Sequence, residues 1–143
     1  MASRKLSDAH IILQEAYTKA KKTFEEQNPT VKVILTATYR SKEEQDALYN
    51  QPRDKKDNDG DGKIDEANEK VTNAKGLQSP HNYLPSMAID VAFTVNGKVD
   101  WSLGNFKAFA KLMKSKSITW GGDFRSLPDA PHFELSNWKG MLN

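Results

Sequence analysis

Leu13, Ala16, Ala20 and Phe24 recur at three- and four-residue steps and predict one amphipathic helix. Ser7 offers its N-cap and Asn28-Pro29 its stop, so the helix is expected from about Ser7 to Gln27. Val31 to Thr38 is rich in β-branched residues and reads as a buried strand. Ser41 caps a second helix through about Tyr49, and Pro52 ends that pattern. Residues 53–76 are polar and charge-dense and read as an insertion. Met87 to Val95 returns to strand, with Ala88, Asp90 and Ala92 on one face and Ile89, Val91 and Phe93 on the other. Asn96-Gly97 is a two-residue hairpin signal. A third helix is expected from Leu103 to Lys114, with Phe106, Phe109, Ala110 and Met113 inward. Ile118 to Trp120 predicts a short strand, Gly121-Gly122 a turn, and Phe133-Glu134-Leu135 a last strand directly after His132. The order of elements implies an α+β fold: one small domain over 1–143, a mostly antiparallel sheet flanked by helices, interrupted by the 53–76 insertion.

Composition narrows the chemistry. A net charge of +2 is too small to argue for nucleic acid. Cysteine is absent, which excludes disulfides and thiolate zinc sites, so any zinc must be held by imidazole and carboxylate. No run of about 18 apolar residues occurs, and Met1 to Lys5 is not followed by an apolar signal core. The expectation is a monomer without membrane insertion, made in the cytoplasm with no export signal.

Asp90 lies among small residues, as a ligand facing a cleft would, between two histidines in suggestive settings: His81 in a loop after Ser79-Pro80, and His132 at the start of a strand. Two imidazoles and one carboxylate make a zinc site with one position open, the arrangement of catalytic zinc. His10, in the first helix with no acidic partner in a motif, reads as a surface or half-buried residue.

These stretches resemble the zinc D-alanyl-D-alanine carboxypeptidase family, which includes VanY-type enzymes and phage L-alanyl-D-glutamate endopeptidases. Ser79, His81, Ala88 and Asp90 fit its Ser-x-His…Ala-x-Asp motif, and Asp129-Ala130-Pro131-His132 resembles its closing Asp-x-x-His. Trp120-Gly121-Gly122-Asp123-Phe124 and Thr38-Tyr39-Arg40-Ser41 followed by Gln45 resemble its flanking segments. His81 and Asp90 stand nine residues apart, two more than is usual there, and Ser86 replaces a usual glycine. A loop absorbs such a difference more readily than a strand does.

The resemblance implies the family's small α+β (hedgehog-like) fold and zinc held by His81, Asp90 and His132. Zinc would lower the pKa of a water in the fourth position to roughly 7. The resemblance points to Asp129 as general base and to Arg40 as the cation at the scissile carbonyl. Glu134, on the strand face of His132, is the rival base, or orients an imidazole from behind, and Asp123 is a second candidate for orienting. Arg40 has the alternative of a surface ion pair with Glu43 or Glu44. Ser79 either meets substrate or supports its loop, and Tyr39 is a further substrate-binding candidate.

A second metal is suggested by Asp57 to Asn68, which fits the calcium loop of an EF-hand. Asp57, Asp59, Asp61, Lys63 through its carbonyl, and Asp65 occupy ligand positions, and Gly62 makes the turn. Asn68 stands where a bidentate Glu is usual, which lowers the expected affinity.

The leading expectation is a peptidase acting on bacterial peptidoglycan stem peptides. The cut would be an endolysin's, between L-alanine and D-glutamate, in a phage enzyme reaching the wall after release. The alternatives are a D-alanyl-D-alanine carboxypeptidase, a non-catalytic zinc- or calcium-dependent binding module, and a calcium sensor.

Overall fold

The computed structural model describes residues 2–50, 79–125 and 128–140, with the side chains of 48–50 left aside. The candidate calcium loop, Asp57 to Asn68, and the whole of the 53–76 insertion lie outside the described residues. The elements run α1 (Ile11–Gln27), β1 (Val31–Ala37), α2 (Lys42–Asn50), β2 (Ala88–Val95), β3 (Lys98–Asp100), α3 (Leu103–Met113), β4 (Ile118–Trp120) and β5 (His132–Leu135). Among the described residues these strands pair antiparallel, in the order β1-β2-β5-β4, with β3 also on β2. β5 and β3 therefore share one edge of β2: β5 meets its first half and β3 its second.

Alternation along β2 decides what each face does. Ile89, Val91 and Phe93 are buried in one core with Leu13, Tyr17, Ala20 and Phe24 of α1 and Phe106, Phe109, Ala110 and Met113 of α3. Phe93 meets Phe24, Phe106 and Phe109 with ring centroids 5.2, 4.8 and 5.8 Å apart. Both helices thus cover the face opposite Asp90. That burial is the principal stabilising term, and it leaves the other face for chemistry. The hairpin is as read: Asn96 and Gly97 both take positive φ, the condition for a tight turn matching strand twist.

The first helix departs from expectation. It starts at Ile11, capped by His10, whose Nδ1 accepts the Ile12 N–H, while Ser7 lies in a separate 3-10 turn at Leu6–Asp8. The chain between them is extended because it pairs elsewhere. Ser86 N–H donates to the Asp8 carbonyl, and His10 N–H to the Ser86 carbonyl. The last strand likewise begins at His132 itself, and Gly121-Gly122 opens a 3-10 turn (Gly121–Asp123).

β1 keeps one edge open to α1. There the Glu25 carboxylate accepts the Val33 N–H at 2.8 Å, and Lys21 Nζ donates to the Val33 carbonyl at 3.1 Å. These contacts satisfy an edge strand's backbone and block its pairing with another chain. Burial first, and the nearby Glu25 charge second, push the Tyr17 phenol up to about 12.

Candidate metal centre

Three strands bring the site together in one row. Asp90 of β2 stands directly opposite His132 of β5, and its other neighbour is Ala37 at the end of β1. Directly opposed residues of an antiparallel pair share a face, so Asp90 and His132 point the same way. Glu134, two residues along β5, shares that face with His132. His81 arrives from a 3-10 turn at Pro80–Asn82. Ser79 caps this turn: its Oγ accepts the His81 N–H, and Asn82 Oδ1 accepts the Ser79 N–H. Ser79 is buried and committed to holding the loop, so of its two expected roles the structure gives the supporting one.

The ligand atoms form a small triangle. His81 Nε2 lies 3.3 Å from Asp90 Oδ1 and 3.3 Å from His132 Nδ1, and His132 Nδ1 lies 3.1 Å from Asp90 Oδ1. A tetrahedral ion with bonds of about 2.0–2.1 Å has ligand–ligand edges of roughly 3.3–3.4 Å. The outward nitrogens are engaged. His81 Nδ1–H donates to the Thr38 carbonyl at 2.7 Å, and His132 Nε2–H donates to Glu134 Oε1 at 2.7 Å. A carbonyl can only accept, which fixes the His81 tautomer and leaves Nε2 as a lone pair.

Two imidazole nitrogens and a carboxylate oxygen converge on one point, an arrangement that a cation would satisfy. Burial alone would lower the His132 pKa, but hydrogen bonds to Asp90 and Glu134 and their charges raise it to about 10. Burial likewise opposes ionisation of Asp90, yet His81 and His132 hold its carboxyl well below the usual range. The donor set, its spacing and the oriented outer nitrogens fit zinc.

Around the triangle, Arg40 Nη2 stands 3.7 Å from Asp90 Oδ2, and its Nη1 donates to Oε1 of the fully buried Gln45 at 2.8 Å. Arg40 is thus turned into the site instead of toward Glu43 or Glu44. Glu44 caps α2 with Ser41. Asp129 is open to solvent as a residue, but its carboxyl is raised above the ordinary range. Desolvation comes first and repulsion by Asp90 second, against the pull of His132, His81 and Arg40. Glu134 accepts from His132 Nε2, whereas the Asp129 carboxyl feels the charges of Asp90, His132, His81 and Arg40. Asp123 does not orient either imidazole. It is exposed and pairs with Lys114 at 2.6 Å, because the 3-10 turn carries it to the surface beside the end of α3. Tyr39 is half-buried, and its carbonyl accepts the Ser3 N–H.

Several supporting groups carried no side-chain signal. Thr38 acts through its carbonyl, which also accepts from Ser86 Oγ at 2.8 Å. The Ser86 hydroxyl contacts the Ala88 carbonyl as well and accepts the Ala88 N–H, so the residue replacing a glycine ties the loop to β2. Phe124 lies against the His132 ring, with centroids 5.7 Å apart. Gln45, already part of the segment read after Arg40, is fully buried on the inward side of α2.

Comparison with known proteins supplies a context for this geometry. Residues 72–135 match the family described as D-alanyl-D-alanine carboxypeptidase. The chain is 34% identical over 123 residues to the peptidoglycan L-alanyl-D-glutamate endopeptidase CwlK of Bacillus subtilis (strain 168), an alignment covering 76% of this chain and 63% of that protein. The chain therefore spans somewhat under two thirds of that relative. Among solved structures, the L-Ala D-Glu endopeptidase ChiX of Serratia marcescens superposes with a TM-score of 0.61 at 21% identity, covering 95% of this chain and 89% of that one. A variant of the vancomycin-resistance D,D-pentapeptidase VanY in complex with Zn(II) gives 0.60 at 13% identity, covering 92% and 74%. At these identities the two structures establish the shared fold.

Proposed function

We propose that the chain is a member of the D-alanyl-D-alanine carboxypeptidase family, whose model it matches over residues 72–135, and a zinc peptidase cutting peptidoglycan stem peptides between L-alanine and D-glutamate. The observation that carries the peptidase reading is the triangle of His81 Nε2, Asp90 Oδ1 and His132 Nδ1 with both outer nitrogens satisfied. The relative at 34% identity, named for the L-alanyl-D-glutamate bond, favours the endopeptidase. The family description keeps terminal D-alanine release as the second reading.

Zinc, when bound, supplies a Lewis acid and an acidified water. The chain's own residues do the rest. Asp129, its carboxyl raised above its ordinary value by burial and by Asp90, takes a proton from the attacking water and returns it to the leaving amine. Arg40, steered by Gln45, offers a permanent forked cation to the carbonyl oxygen as negative charge grows there. Glu134 and the Thr38 carbonyl keep the imidazoles from turning. A lytic role in phage release, action on the wall from a cytoplasmic start, and a calcium-ordered loop at Asp57 to Asn68 belong to the same proposal.

Mass spectrometry of muropeptides after digestion, with and without zinc removal, tests it. New amino-terminal D-glutamate that disappears on chelation and returns with zinc is expected. Loss of terminal D-alanine alone would select the carboxypeptidase reading, and no cleavage would end both.

A further inference from the structure

We propose that Trp120 and Gly121 are positioning residues that set where Asp129 stands relative to His132. The consequence for rate rests on the peptidase reading, whereas the geometry stands apart from it. The chain returning into β5 through residues 128–131 is held from below by the end of β4. Asp129 N–H donates to the Gly121 carbonyl at 2.9 Å, and His132 N–H donates to the Asp129 carbonyl at 3.0 Å. Trp120 Nε1–H donates to the Ala130 carbonyl at 2.7 Å.

Gly121 is needed for space. A Cβ there would lie 2.4 Å from the Asp129 carbonyl oxygen and 2.8 Å from His132 Cβ. Neither atom is the end of a flexible side chain, so any larger residue lifts the turn off β4. Trp120 adds a rigid arm. Its ring is buried in the core and its backbone pairs with Phe133, so the indole N–H is a fixed donor beneath the turn.

The two ends of the turn are not equally secured. His132 is also fixed by its register with Asp90 and by Glu134. Among the described residues, no side-chain hydrogen bond holds the Asp129 carboxyl. Loosening the turn therefore moves Asp129 before it moves the ligand, and displacement of about 1 Å costs on the order of 100-fold in rate.

The test compares Trp120→Phe, which keeps a ring and deletes the donor, with Gly121→Ala. Amide exchange is read at Asp129 and His132, with Ile89 and Phe93 in the core as internal reference, and metal geometry from the visible spectrum of the Co(II) form. For Trp120→Phe we expect several-fold faster exchange at Asp129, an unchanged Co(II) spectrum, and kcat on stem peptide down about 10- to 100-fold with KM little altered. Gly121→Ala should perturb exchange at both amides and the Co(II) spectrum as well. Unchanged exchange at Asp129 in both variants would overturn the proposal, as would a kcat loss in Trp120→Phe that only tracks metal loss. If the wild-type protein cuts no stem peptide, the peptidase reading fails, and the exchange and Co(II) measurements still decide the clamp.

Discussion

Glu134→Ala separates an orienting carboxylate from a catalytic one. His132 Nε2 and Glu134 Oε1 are 2.7 Å apart, and the Glu134 side chain is only 17% exposed, so this charge-assisted hydrogen bond is poorly replaced by water. Losing such a partner costs about 10- to 100-fold in metal affinity. That is roughly 1.4–2.7 kcal/mol. The register between Asp90 and His132 survives the change, so the ring still reaches the centre, only less well aimed. Glu134→Gln keeps an acceptor oxygen without the charge and should fall between wild type and Ala. The assay is competition for zinc against a chromophoric chelator, followed by kcat at saturating zinc. The expected result is weakened zinc binding with kcat restored to within a few-fold once the site is filled. If Glu134 were the base, zinc affinity would hold and kcat would fall about 10²- to 10⁴-fold at saturation. That pattern would refute the assignment of Glu134 to His132.

Asp129→Asn should give the reverse pattern, with wild-type zinc stoichiometry and turnover down about 10²- to 10⁴-fold, checked by metal analysis beside the peptide assay. Glu25 should make stability fall in acid. Desolvation opposes its ionisation, but the Lys21 hydrogen bond and the Val33 N–H prevail and hold its pKa below 4.5. Because the folded value is depressed, its contribution is present above 4.5 and is lost as pH falls through the folded value. Glu25→Gln should therefore be less stable than wild type at pH 7 by about 1 kcal/mol, with the gap closing in acid, as read from urea midpoints at both pH values. A gap that persists in acid would remove the carboxylate from the account.

Much of this was legible in the sequence because the relevant periodicities are local. The two-residue alternation from Ala88 to Phe93 placed Asp90 away from the helices, and the inward stripe of α3 from Phe106 to Met113 needed only its spacing. Asn96-Gly97 announced its own turn. Ser7 is a good cap in isolation, yet α1 begins at Ile11 because the pairing of Ala9 with Ser86, far along the chain, keeps that segment extended. Asp123 turns to Lys114 for a similar reason: neighbouring a motif says nothing about which way a 3-10 turn sends a side chain. The register that sets Asp90 opposite His132, the Thr38 carbonyl behind His81, and the close approach at Gly121 are long-range or backbone features, and no side-chain pattern encodes them.

X-ray absorption at the zinc edge of the loaded protein addresses the three converging side chains most directly. The account predicts one tightly held zinc per chain with only nitrogen and oxygen neighbours at about 2.0–2.1 Å, two of them imidazoles, and one imidazole lost in His81→Ala. A six-oxygen shell without imidazole scattering, or a spectrum indifferent to that substitution, would contradict it.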